Sequence, residues 1–171
     1  MKSFFTRHQP RQPLHHSALS GIGGVLAIAL IGAITFYGQT PLLIAPFGAS
    51  CVLLFSVPNS PLSQPANVIG GHFIATLISL VLHLALQNTW WAIALAVGLA
   101  IGVMAALRLT HPPAGADPIV VFASDPSFSF LFFPVLAGSC LLVLIATLYH
   151  RAGKVTYPMK KAQPEPIAPS S

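Results

Sequence analysis

The chain has 171 residues, of which 54 % are hydrophobic and only 6 % are charged, against about 25 % charge in an ordinary soluble domain. Its 8 Lys and Arg and 3 Asp and Glu cannot coat a globule of 18.0 kDa, and the mean hydropathy is +0.77. Composition therefore excludes a soluble domain, a disordered chain and a nucleic-acid binder, and leaves an integral membrane protein whose first partner is the lipid bilayer. In chain order, residues 1–17 form a polar, basic arm. Ala18–Tyr37 reads as a first spanning helix; it is longer than the apolar core of a signal peptide and lacks a small-x-small exit, so it is expected to be retained. Pro41 to Pro46 is bounded by prolines and leads into a short apolar run, Phe47–Val57. An uncharged Pro-rich loop follows from Pro58 to Pro65. Asn67–Leu86 is a second long span, and Gln87-Asn88-Thr89 a tight turn before the interfacial pair Trp90-Trp91. Trp90–Leu109 is the third long span. His111-Pro112-Pro113 breaks it and starts a short run, Ala114–Ala123. Phe130–His150 is the fourth long span, and residues 151–171 read as a disordered, basic, Pro-rich tail.

Basic residues sit at both ends: Lys2, Arg7 and Arg11 before the first span, Arg151, Lys154, Lys160 and Lys161 after the last. The positive-inside bias then puts both termini in the cytoplasm, in the plasma (inner) membrane of a cell, with an even number of crossings. Cys51 and Cys140 both lie in apolar runs and read as thiols buried in lipid, with no disulfide or metal spacing.

Sliding the chain by 67 residues sets Pro46, Gly48, Ala49 and Phe55 on Pro113, Gly115, Ala116 and Phe122, and Val68, Gly71, Leu77, Ile78 and His83 on Val135, Gly138, Leu144, Ile145 and His150. The offset gives 17 identities over 66 pairs. The fold expected is an all-α polytopic membrane protein of two three-segment inverted repeats, residues 18–84 and 85–150, with four long spanning helices and two short Pro-led half-helices. Six crossings follow if the short runs cross. Re-entrant short runs with four crossings are the alternative, and charge parity allows both.

The short run Phe47–Val57 is 11 residues, about 16 Å of helix or half a bilayer. Proline suits a first helical turn, and Gly48-Ala49 and Gly115-Ala116 leave backbone N–H groups uncovered. Two half-helix N-termini would then face one another near the midplane, each with partial positive charge and free donors that a small anion satisfies. The candidate substrate-binding residues are Gly48, Ala49, Ser50, His72, Arg108, His111, Gly115, Ala116 and Asp117. Each has a plainer reading. Arg108 draws anions or simply flanks a span. Asp117 caps a dipole or pairs with Arg108. His111 donates a hydrogen bond or carries a proton. His72 is an ionisable group within a span. His83 and His150 read as interfacial, Asn59, Gln64 and Asn67 as caps or entrance, and Gly70, Gly71, Gly98, Gly102 and Gly138 as close-packing positions.

At His111-Pro112-Pro113-Ala114-Gly115-Ala116 the sequence resembles the HPP family of integral membrane proteins. The likeness extends to Pro46-Phe47-Gly48-Ala49-Ser50, to Asn59 through Pro65, and to Asn67 through His72. Plant and cyanobacterial members of that family are linked to nitrite transport, so the resemblance implies nitrite or a similar small anion. Where the family often carries Arg after Gln64-Pro65, this chain has Ala66. Transport of a small inorganic anion is thus the expected function, with no cofactor and no metal. A membrane scaffold subunit, or transport of another small solute, is the rival. An enzyme is not expected: no Gly-x-Ser-x-Gly or His-Glu-x-x-His occurs, and the acidic residues are Asp117, Asp125 and Glu165 alone. A homo-oligomer is left open.

Overall fold

A computed structural model describes residues 5–7, 9–39 and 41–160. Lys2, Lys161, Glu165 and the tail beyond residue 160 lie outside the described residues. Among the described residues the chain is helical, without strands.

Helix α1, Leu14–Gly38, starts behind Pro13 and ends on Gln39 in the left-handed conformation. Its buried residues are Gly23, Ala27 and Ile31, a stripe four residues apart. Much of its remaining surface, including Leu19, Ile22, Val25, Leu26 and Leu30, is exposed, as suits a helix that meets lipid around most of its girth. Helix α2, Pro46–Ser56, carries Pro46 in its first turn and buries Phe47, Ser50, Cys51, Leu54 and Phe55. Helix α3, Pro65–Ala85, begins on Pro65 and buries Val68, Gly71, His72, Ala75, Thr76, Ser79 and Leu80 along one stripe. It is the central helix, packed against α4, α5 and α6.

Helix α4, Trp90–Ala106, buries Ala92, Ala96, Ala100 and Met104. This alanine stripe lets α4 lie close on α3. A turn of 3₁₀ helix, Pro112–Ala116, leads into helix α5, Asp117–Ser124. A bent stretch, residues 128–136, leads into helix α6, Ala137–Ala152.

Three helical stretches are long and apolar enough to cross a bilayer: Leu14–Gly38, Pro65–Ala85 and, taken through its bend, Phe128–Ala152. The expected third long span, Trp90–Leu109, is helical only to Ala106 and has 17 residues. It stops because Arg108 takes a left-handed φ of 59° and the Leu109 N–H reaches back to the Met104 carbonyl. The second short run is also more broken than expected. Pro118 has no N–H to give, so a 3₁₀ turn precedes the α-helix. Within the fourth span Phe133 departs from helical geometry (φ −132°, ψ 116°) just before Pro134.

In the near half of the tail Tyr157 packs back onto the protein, where disorder was expected from residue 151 onward. Tyr157 is buried, and its hydroxyl donates to the Ser63 carbonyl at 2.9 Å. The Met159 N–H donates to Gln64 Oε1 at 2.8 Å, while Gln64 Nε2 donates to the Pro58 and Ser60 carbonyls. The apolar cover of Tyr157 raises the pKa of its phenol.

Candidate functional site

Four of the nine residues singled out in the sequence meet in one buried cluster. Ser50 on α2, His72 on α3, His111 before the 3₁₀ turn and Asp117 at the start of α5 are each at most 1 % exposed. Ser50 Oγ lies 2.8 Å from His72 Nε2 and 2.9 Å from His111 Nε2. The other nitrogen of His72, Nδ1, is 2.8 Å from Asp117 Oδ2. Thr76 Oγ1 donates to the same carboxyl oxygen at 3.3 Å. His111 Nδ1 is 2.8 Å from the Leu62 carbonyl. Asp117 Oδ1 is buried and has no hydrogen-bond partner among the described residues. Phe47 meets the His72 ring edge to face, centroids 5.3 Å apart.

The local sequence explains this convergence. Ser50 and Asp117 are related by the 67-residue offset, and they bind the two nitrogens of one imidazole. The long helices make matching allowances. A Cβ on Gly71 would stand 2.7 Å from His111 Cβ and 3.1 Å from the Leu109 carbonyl oxygen. A Cβ on Gly138 would collide with the Phe47 ring and stand 3.1 Å from the Leu42 carbonyl oxygen. Leu42 and Leu109 are also 67 residues apart. Each of these glycines thus lets a long helix approach the stretch that leads into the other Pro-led segment. Gly70 packs similarly on Leu109, whereas Gly98 and Gly102 face open space, which corrects their expected packing role.

The remaining five candidates lie outside the cluster. Gly48 and Ala49 are exposed on the opposite side of α2. Gly115 and Ala116 are half-buried in the turn that presents Asp117. The expected free N–H groups are largely occupied: Phe47 and Gly48 donate to the Ile44 and Ala45 carbonyls, and Ala114 donates to that of His111. Tight 3₁₀-type turns at the proline starts absorb these donors. Side chains, not bare helix ends, meet at the centre.

Arg108 is exposed and does not pair with Asp117, whose partner is His72. It lines an open recess of about 760 Å³ with Leu62, Gln64, Asn67, Thr110 and Lys160. Asn67 Nδ2 donates to the Thr110 carbonyl at 3.0 Å and the Arg108 carbonyl at 3.4 Å, so it caps the end of α4. The recess and the cluster share Leu62, whose carbonyl faces His111. His150, in the last turn of α6, is buried and donates from Nε2 to the Leu54 carbonyl at 2.8 Å. His83 pairs with the exposed Asp125 at 2.8 Å. Cys51 is buried within the protein, and Cys140 lies on the surface of α6.

Sequence reasoning missed Thr76 and the Leu62 carbonyl. Thr76 stands one helical turn after His72, and that spacing was its signal. The backbone carbonyl left no signal at all. Among the described residues no group of three His, Cys, Asp or Glu is placed to hold a metal ion.

Residues 9–158 match the model of the HPP transmembrane region. Two transmembrane proteins of Dictyostelium discoideum are each 36 % identical to the chain, over 151 and 153 residues. The alignments cover 82 % and 84 % of this chain and 53 % and 49 % of those proteins. The chain thus spans about half the length of the curated relatives it matches. No solved structure is significantly similar. The match runs from within the basic arm past Tyr157 and takes in the whole cluster: the chain belongs to the HPP transmembrane family.

Proposed function

We propose that this protein carries a small inorganic anion across the plasma (inner) membrane, with nitrite the substrate that the family resemblance implies. The observation that carries the reading is the buried Ser50–His72–His111–Asp117 cluster. Ionisable groups inside a membrane are expensive and are kept for ion or proton pathways. Arg108 and Lys160, in the recess that reaches Leu62, supply the positive potential that draws an anion toward His111.

A six-crossing, inverted-repeat arrangement with both termini cytoplasmic fits the contacts. In that arrangement the 58–64 loop, the 107–111 segment and the 153–160 tail all lie on the cytoplasmic side, and these three line one recess. On the other side Asn88 meets the Phe122 carbonyl and His83 meets Asp125. Re-entrant short runs would put Ser63 and Tyr157 on opposite faces of the membrane, yet they are hydrogen-bonded. The reciprocal contacts of Gly71 and Gly138 support the repeat itself.

A second reading deserves a test because of one observation. Ser50 Oγ to His72 Nε2, and His72 Nδ1 to Asp117, is the connectivity of a nucleophilic triad. Against it, Ser50 is fully buried and shares its oxygen with a second histidine. We therefore favour a transporter without catalytic chemistry. Uptake of nitrite, nitrate, formate and chloride into proteoliposomes of the full chain tests the main reading. Nitrite flux well above that of protein-free vesicles is expected; no flux of any of the four leaves a scaffold. Labelling of wild type by a fluorophosphonate, lost in Ser50→Ala, would favour the enzyme.

A further inference from the structure

Ser50 Oγ has one hydrogen and three neighbours: His72 Nε2, His111 Nε2 and, at a longer 3.3 Å, the Pro46 carbonyl. The Leu62 carbonyl can only accept, so the facing Nδ1 of His111 bears a hydrogen. A neutral His111 then turns a bare lone pair from Nε2 toward Ser50. If Asp117 is ionised and His72 neutral, Nδ1 of His72 bears the hydrogen and its Nε2 is bare too. Two lone pairs then face one hydroxyl hydrogen, and one contact at 2.8–2.9 Å is repulsive. One further proton removes the conflict. Turning the Ser50 hydroxyl to Pro46 instead raises the number of protons needed and never lowers it.

We propose that Asp117, His72, Ser50 and His111 form a proton-carrying chain that holds an exchangeable proton when closed and passes it between its ends in step with the anion. The coupling rests on the transport reading; the proton count rests on geometry alone. In one form Asp117 O–H donates to His72 Nδ1, His72 Nε2–H donates to Ser50, and Ser50 O–H donates to His111 Nε2. Transfer of the first proton makes a carboxylate and a doubly protonated His72. The Nε2 proton of His72 then passes to Ser50 Oγ as the Ser50 hydrogen passes to His111 Nε2. His72 is left neutral, Ser50 remains a hydroxyl and His111 becomes the cation. Every bond broken is matched by one formed, and all the close contacts stay satisfied in each form.

The two ends of the chain are distinct. His111 abuts the recess of Arg108 and Lys160 through Leu62, and Asp117 Oδ1 is the unpartnered atom at the other end. Around the chain, α2 adds the thiol of Cys51, α3 adds Thr76 and α4 adds no ionisable side chain. The buried imidazole of α6, His150, is engaged by Leu54. Loss of the proton leaves a repulsive contact at Ser50, the joint between α2, α3 and the 107–116 segment, so deprotonation opens that joint. A proton loaded with a univalent anion keeps the load neutral, which lowers the cost of crossing a low-dielectric region.

Two measurements on the full chain in proteoliposomes test this. In ¹⁵N-histidine NMR across pH, His72 and His111 are expected to change protonation together, and Ser50→Ala to make them titrate separately. Independent titration in the wild type overturns the proton chain, whatever the flux. In vesicles holding a pH-sensitive dye, nitrite entry is expected to acidify the lumen by about one proton per anion beyond protein-free vesicles, and Asp117→Asn to reduce that ratio at least tenfold. Nitrite flux without acidification overturns the coupling and leaves the transport reading. Joint titration with no flux of any anion upholds the proton chain and overturns the transport reading instead.

Discussion

The two Pro-led segments occupy equivalent places in the chain but differ in build and chemistry. The first is one continuous helix of 11 residues behind a single proline, Pro46. The second is a 3₁₀ turn behind Pro112 and Pro113, followed by an 8-residue helix that holds Pro118. Both end their first turn at the same imidazole. The first brings a hydroxyl to Nε2 of His72 and the second brings a carboxyl to Nδ1. Equivalent positions in the chain thus deliver unlike groups. A hydroxyl can only relay a proton, since it is neither acidic nor basic enough to keep a charge, whereas a carboxyl can store one. The divergence at one pair of positions makes a symmetric cradle into a directional chain.

The largest effects are expected where the cradle is held together. Gly71→Leu and Gly138→Leu each drive a side chain toward a backbone carbonyl that cannot rotate away. Overpacking costs typically 1–3 kcal/mol, about the upper end here, so both variants should lose their thermal unfolding transition in detergent or show it well below wild type. Gly98→Leu, into open space, should stay within about 0.5 kcal/mol of wild type. Tolerance of one buried glycine but not the other breaks the equivalence of the two segments.

Next comes the group that differs. Asp117→Ser gives both segments a hydroxyl at His72. Loss of a hydrogen bond to an ionisable partner costs about 1.5–3 kcal/mol, read as a lowered midpoint of unfolding. Its functional effect is more specific. Wild-type nitrite flux should rise as the pH on the loading side falls, because a protonated chain is the loaded one. Asp117→Ser should flatten that rise. Thr76→Val, which removes only the 3.3 Å bond to Asp117, should cost about 1 kcal/mol and keep the pH dependence. An unchanged profile in Asp117→Ser would mean that the carboxyl stores no transported proton.

Much of this arrangement was legible in the residues. The apolar runs and the prolines located the six α-helices of the described residues, because in lipid a backbone must satisfy its own hydrogen bonds and long apolar runs show where it does so. The offset of 67 paired Ser50 with Asp117. What stayed hidden was geometric. Nothing in the spacing of Gly48 and Gly115 says that 3₁₀ turns consume the donors beside them. Nothing local says that His111 reaches across 61 residues to Ser50 rather than toward Arg108. Glycine at 71 and at 138 has one signature for packing on a side chain and for packing on a carbonyl. The end of α4 at Ala106 was also invisible, because apolar residues continue to Leu109 and only the left-handed turn at Arg108 breaks the helix.

Arg108 supplies the smallest effect and the finest test of how recess and cluster divide their work. Its backbone is left-handed, a conformation that costs an L-residue about 1 kcal/mol and glycine almost nothing. Its side chain is exposed, so its attraction for an anion is screened by salt. Arg108→Gly should therefore raise the unfolding midpoint slightly while it weakens anion capture, and Arg108→Gln should weaken capture without the gain in stability. In both, KM for nitrite should rise a few-fold at low ionic strength and approach wild type at high salt, with kcat held, since the charge acts before the closed cluster is reached. The pH profile set by Asp117 should survive in both variants. If Arg108→Gln instead lowers kcat or flattens that profile, the recess takes part in proton transfer, and the division between an outer anion funnel and an inner proton chain fails.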